Sequence, residues 1–194
     1  MNKEVAYIFP TIILCYKNPD YRTVNKKLIK ILKGSEFYKG TTGVDQTVDN
    51  HLHEDSNYKE LFNWIQECIT DYKNAFNLSC DGLAPCISWV NKSNSKSEHP
   101  KHTHSNSYVS GVYYMTENPS PTYFDSPVHE QIMILSNKQE VWTCFGNAGD
   151  LILFPSTLWH WTQPQPFKGD RLTLSFNVMP TGVVNRETLS ECKY

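Results

Sequence analysis

The sequence predicts a mainly β fold of the α+β kind, a β-sandwich or barrel with two amphipathic helices packed on its outside. From Asp81 onward, short runs rich in β-branched and aromatic residues alternate with Pro, Gly, Asn and Ser, the pattern of an all-β sandwich or barrel. Ahead of them, two stretches repeat their apolar residues at helical spacing. At 194 residues, with 39% hydrophobic and 20% charged side chains, the chain suits one well-buried domain and is short for two. The expected layout is a single domain over residues 1–194, with strand and helical support over 1–80, a β core over 81–182 and a C-terminal tail over 183–194.

Residues 5–16 read as an entering strand; Pro10 interrupts the apolar run and no small-residue cleavage site follows, so a signal peptide is not expected. Asn18-Pro19-Asp20 is a helix start, Val24, Leu28, Ile31 and Leu32 recur at helical spacing, and Gly34 supplies the stop. Residues 35–55 are polar and read as loop with a short strand. A second helix is predicted from about Ser56 to Phe76, with Leu61, Ile65, Cys68, Ile69, Tyr72 and Phe76 on one face. Strands follow at Cys86–Asn91, Tyr108–Met115, Tyr123–Phe124, Gln131–Leu135, Val141–Cys144, Leu151–Phe154 and Arg171–Val178. Lys92–Lys101 reads as a polar, mobile loop.

A formal charge of −2 leaves no electrostatic footprint for nucleic acid, which disfavours such a substrate without excluding it. No apolar stretch reaches the ~18 residues needed to span a bilayer, so no membrane partner is expected. Six cysteines lie scattered without paired short spacing and are expected as reduced thiols, several of them buried, in a cytoplasmic protein.

The chemistry-bearing residues fall late in the chain. His102-Thr-His104 has the spacing that puts two imidazoles on one side of an extended chain, where they can share a metal. His51-Leu-His53 has the same spacing but sits in a polar linker with no β partner. Position favours the first pair, which opens the predicted strand Tyr108–Met115. His99 and His129 read as solvated loop histidines. His160 follows the apolar run Leu151–Phe154 and a Pro155-Ser156 turn, and its neighbours Trp159 and Trp161 would exclude water; a core histidine satisfied by one hydrogen bond is the alternative. The last strand alternates: Leu172, Leu174, Phe176 and Val178 on one face, Arg171, Thr173, Ser175 and Asn177 on the other. A half-exposed strand alternates the same way, and Arg171 could pair with Asp170 or Asp150. Yet a guanidinium followed by hydroxyls on one face also makes a carboxylate socket.

The ordered set His102-x-His104, Ser110-Gly-Val-Tyr-Tyr114, Gly149-Asp-Leu-Ile-Leu-Phe-Pro-Ser and His160…Arg171-x-Thr173 resembles the Fe(II)/2-oxoglutarate-dependent oxygenase superfamily. The likeness spans roughly Ile87 to Pro180 and is nearest to oxygenases of bacteriophages and marine bacteria, more distantly to prolyl 4-hydroxylases. It implies a double-stranded β-helix (jelly-roll) with the N-terminal helices on the outside of its major sheet. It also implies Fe(II), 2-oxoglutarate and O2 as cofactor and co-substrates. His102 and His160 match the two histidine ligands; Arg171, assisted by Thr173, matches the basic residue that holds the distal carboxylate of 2-oxoglutarate. Tyr114 corresponds to a tyrosine contacting that carboxylate, and Asn91 is a weaker candidate for the same pocket.

One position departs from the pattern. The usual middle ligand is a carboxylate, and here it is His104, which leaves a ferrous site at net +2 instead of +1. Imidazole suits ferrous iron, and three-histidine sites also suit zinc. Glu98, Asp125 or Asp150 are the alternative carboxylates, none at the family spacing. The activity implied is hydroxylation with release of succinate and CO2, by a cytoplasmic enzyme (in the host cytoplasm, if phage-encoded). Peptidyl-proline in a protein is the default substrate and a small molecule the other class. The competing readings are a cupin-like three-histidine metalloprotein that ignores 2-oxoglutarate and a non-catalytic jelly-roll binding module. Trp159, Trp161 and Tyr108 are expected as pocket walls, with Lys92–Lys101 and Glu117–Gln131 flanking the mouth.

Overall fold

The computed structural model describes residues 11–117, 121–127, 141–166 and 168–194. The predicted strand Gln131–Leu135, His129, part of the entering strand and part of Glu117–Gln131 lie outside them. The chain runs β1 (Leu14–Lys17), α1 (Tyr21–Leu32), β2 (Phe37–Tyr38), β3 (Asp45–Thr47), α2 (Lys59–Ala75), β4 (Cys80–Ser93), β5 (His99–His102) and β6 (Val109–Tyr114). It continues through β7 (Thr122–Asp125), β8 (Val141–Cys144), β9 (Asp150–Pro155), β10 (His160–Thr162), β11 (Arg171–Val184) and β12 (Cys192–Lys193).

The helices form where the periodicity places them. At the start of α1 the Asp20 N–H donates to Asn18 Oδ1 at 2.8 Å, the local side-chain turn that Asn favours. Val24, Leu28 and Leu32, four apart, bury one stripe. In α2 the buried stripe is Leu61, Phe62, Ile65, Cys68, Ile69 and Tyr72. Both stripes pack into one apolar cluster with Val90, Val109, Tyr113, Leu151, Leu174 and Phe176, so the helices cover the outer face of the larger sheet.

Among the described residues that sheet has eight strands in the order β1-β9-β6-β11-β4-β3-β2, with β12 beside β11; the second has four, β5-β10-β7-β8. All the strand pairs are antiparallel. Tyr114, Phe124, Cys144, Ile152, Phe154 and Leu158 form a second apolar cluster that joins the two sheets, with Phe124 edge-on to Phe154 at 4.9 Å. This is the expected jelly-roll. At its centre Gly111 lies opposite Phe176; a Cβ there would come within 2.2 Å of the phenyl ring, so only glycine fits.

Two predicted strands prove longer. β4 and β11 are 14 residues each and pair along their length. Pro85, Gly82, Pro180 and Gly182 read as breakers in sequence, but irregularities at Asn177/Val178 and Thr181/Val184 absorb them. The expected mobile loop Lys92–Lys101 is also corrected. The Ser97 N–H donates to the Asn94 carbonyl at 3.0 Å, and the buried Ser97 hydroxyl donates to the Gly43 carbonyl at 2.5 Å. That tight turn returns the chain into β5. The six cysteines are free thiols, Cys68 and Cys144 buried.

Candidate metal centre

His102 closes β5, His160 opens β10, and the two are direct cross-strand partners. His104 follows in the loop, where its N–H donates to the Ser156 carbonyl at 3.0 Å. The ligand-competent atoms of His102, His104 and His160 all lie within 4.8 Å of one another. Ring centroids are 4.3 Å apart for His102–His160, 5.0 Å for His102–His104 and 5.1 Å for His104–His160. Strand alternation is not what gathers them, since the strand after His104 begins only at Val109. The β5–β10 pairing and the Ser156 tether do so instead.

The hydrogen bonds select the tautomer. His102 Nδ1 lies 2.7 Å from the Pro100 carbonyl and His160 Nδ1 2.9 Å from the Leu158 carbonyl. A carbonyl only accepts, so each Nδ1 carries the proton and each Nε2 presents its lone pair. Burial pushes His160 down to about 3 and His104 to about 4, in each case aided by His102. Neutral imidazoles are the form a metal requires.

Arg171 lines the same cavity as the three histidines. It is 6% exposed, and its buried Nε has no hydrogen-bond partner. Among the described residues no carboxylate pairs with it. The two candidates are engaged elsewhere, Asp170 with Lys92 at 3.1 Å and Asp150 with Lys17 at 3.0 Å. Nor is β11 half-exposed, because Thr173, Ser175 and Asn177 are buried as fully as the leucines opposite. A buried cation with an unused donor costs free energy unless an anion completes it. The residues therefore fit a divalent metal held by three neutral nitrogens and a carboxylate ligand reaching the guanidinium.

Thr173 pairs with Tyr114 on one side and Asn91 on the other, so the three share a face. Asn91 lines the cavity, with Oδ1 accepting from Gln46 and Trp89 and Nδ2 donating to Ser175. Tyr114 stands behind Arg171, its ring 5.5 Å from the guanidinium and its hydroxyl 2.7 Å from Thr122 Oγ1. Of the expected walls, Trp161 lines the cavity; Trp159 and Tyr108, at 49% and 51% exposure, lie outside it. Among the described residues no carboxylate joins the histidines. Glu98 is exposed, Asp125 pairs with Lys101 and Asp150 with Lys17.

Two histidine expectations are corrected. His51 bridges Ser88, and the His53 N–H donates at 2.8 Å to the Ser88 hydroxyl, which also contacts Nδ1 at 2.8 Å; this pair latches the linker onto β4. His99, expected in a solvated loop, is on β5 with its ring 4.5 Å from that of His102, and burial lowers it to about 4.

Residues 87–177 match the family model described as 2OG-Fe(II) oxygenase. Over those residues the chain is similar to the 2OG-Fe(II) oxygenases. The likenesses among solved structures agree in fold. HygX from Streptomyces hygroscopicus, crystallised with nickel and 2-oxoglutarate, superposes with a TM-score of 0.64 at 14% identity, covering 88% of this chain and 84% of that one. A Pseudomonas putida prolyl-4-hydroxylase gives 0.62 at 12%, covering 89% and 94%. The carbocyclase SnoK of nogalamycin biosynthesis gives 0.66 at 9%, covering 89% and 81%. No curated protein sequence matches the chain. The match and these likenesses together indicate a 2-oxoglutarate-dependent oxygenase, with iron and 2-oxoglutarate as cofactors. No described helix is long and apolar enough to cross a membrane.

Proposed function

We propose that this oxygenase hydroxylates an uncharged segment of its substrate, peptidyl-proline being the first candidate, and that His102, His104 and His160 hold its iron. Arg171 and Thr173 take the distal carboxylate of 2-oxoglutarate. Tyr114 supports the guanidinium from behind, and Asn91 orders the hydroxyl row through Ser175. The observation that carries this reading is the buried, unpartnered Nε of Arg171 in one cavity with three neutral histidines.

Bound Fe(II) with 2-oxoglutarate and O2 supplies oxidative decarboxylation to succinate and CO2 coupled to hydroxylation. The chain's own part is geometric and electrostatic. Protonated Nδ1 atoms fix the rings of His102 and His160. A guanidinium at the far end of the cavity lets a dicarboxylate lie in one orientation. Phe154 and Trp161 line the cavity and keep it dry. With three neutral ligands the metal keeps its full +2 charge, and with Arg171 beyond it the cavity favours a dianion.

A groove lined by Tyr38, Gln46, Thr47, Val48, Asn50 and Trp89 opens onto His102 and His104. No Lys, Arg, Asp or Glu lines it, which supports a neutral substrate segment; the resemblance to prolyl hydroxylases supports proline. The test is succinate formation by the iron-loaded protein. Wild type should turn 2-oxoglutarate into succinate slowly even without substrate, and Arg171→Ala should lose this with metal content intact. Undiminished succinate formation by Arg171→Ala would overturn the assignment. Screening proline-containing peptides for stimulated turnover then tests the substrate.

A further inference from the structure

His99 is the one histidine at this site without an assigned task, and its position is unexpected for a strand residue. It lies three positions before His102, and residues three apart on a regular strand point to opposite faces. The pairing of β5 with β10 explains the exception. His160 faces His102, but Thr162 faces His99, so two steps on β10 oppose three on β5. This bulge rotates His99 onto the inward face. Its N–H donates to Thr162 Oγ1 at 3.0 Å, which holds the backbone in that position.

The result is a fourth imidazole lining both the cavity that contains Arg171 and the groove outside the metal ligands. Its ring lies 4.5 Å from that of His102 at 34°, closer to stacking than to sharing an ion, and it is not in the ligand group. Among the described residues no hydrogen bond reaches its ring nitrogens. An imidazole carries at least one N–H donor in either protonation state.

We propose that His99 is a second anchor for the dicarboxylate co-substrate, donating a ring N–H to the carboxylate at the metal end while Arg171 takes the other. This rests on the 2-oxoglutarate reading above. Two anchors at opposite ends define the co-substrate's direction as well as its place. His99 also borders the groove, so it separates co-substrate from substrate.

The test is calorimetric titration of 2-oxoglutarate into the nickel-loaded protein, with nickel affinity measured in parallel. His99→Phe keeps a flat ring against His102 and removes the donor; His99→Gln restores an N–H. Phe should weaken 2-oxoglutarate binding about tenfold, the size of a hydrogen bond to a charged group. Gln should recover most of that loss, and nickel affinity should hold within about twofold for both. In turnover, KM for 2-oxoglutarate should rise with kcat nearly constant. Wild-type 2-oxoglutarate affinity in His99→Phe overturns the inference alone, as does loss of nickel binding in step with it, which would make His99 a prop for His102. Failure of the wild type itself to bind 2-oxoglutarate would instead overturn the functional reading beneath it.

Discussion

From Arg171 to Val178, β11 has two faces that are equally buried and chemically opposite. Leu172, Leu174, Phe176 and Val178 pack beneath the helices, where any apolar side chain of the right volume serves. Arg171, Thr173, Ser175 and Asn177 face the cavity, each as hidden from water as its apolar neighbours. The first face stabilises the fold. The second is tolerated by it: hydroxyls and amides satisfy one another, as in Ser110 donating to Asn177 at 2.9 Å, while Arg171 keeps a donor unused. A polar row sealed from solvent marks a binding surface more reliably than an exposed one.

The comparison breaks most visibly on the apolar side. Leu174 is fully buried between Val90 and Tyr113. Leu174→Ala should cost about 2–5 kcal/mol of stability, read as a lower melting temperature, with unchanged 2-oxoglutarate affinity in the protein that remains folded. On the polar side the signs reverse. Arg171→Met removes a buried cation that no carboxylate pairs with among the described residues, so the metal-free protein should melt no lower than the wild type. Its 2-oxoglutarate affinity should fall about a hundredfold, roughly 2–3 kcal/mol. An Arg171→Met protein that melts early and still binds 2-oxoglutarate would erase the distinction between the faces.

A third effect is a pH dependence confined to the polar region. In the metal-free fold burial holds His99 and His104 down to about 4 and His160 to about 3, while in the unfolded chain each titrates near about 6.5. Between those values the unfolded chain binds more protons. The stability contributed by these neutral rings is therefore complete above about pH 6.5 and is lost progressively as pH falls toward 4 and then 3. Melting temperatures of the metal-free protein should drop across that window, and bound metal should steepen the drop by adding proton competition for the ligands. A flat profile would show that the rings are already solvated.

Much of the architecture was legible in the sequence because it rests on periodicity. The α1 and α2 stripes, the β9 run and the alternation of β11 are each carried by a few residues at fixed spacing. What escaped depended on partners far away in the chain. The long reach of β4 and β11 requires each to pair with the other past Pro85 and Pro180, and neither segment alone announces it. The inward turn of His99 comes from a bulge defined against β10, invisible to any rule applied to β5 by itself. The order of the 94–97 turn comes from Gly43, a contact across 54 positions. At the site, residue type pointed to the three histidines and Arg171, while their juxtaposition is a product of strand pairing.

The manner in which His104 is held has a consequence for the metal's electronics. His102 and His160 are locked as facing members of a ladder, so exchanging either would disturb two strands at once. His104 lies in a loop, outside the ladder, where its N–H donates to the Ser156 carbonyl. With these three as the proposed ligands, the coordination sphere would have two rigid corners and one adjustable corner, and a substitution at position 104 would retune the ion's net charge without rebuilding the barrel.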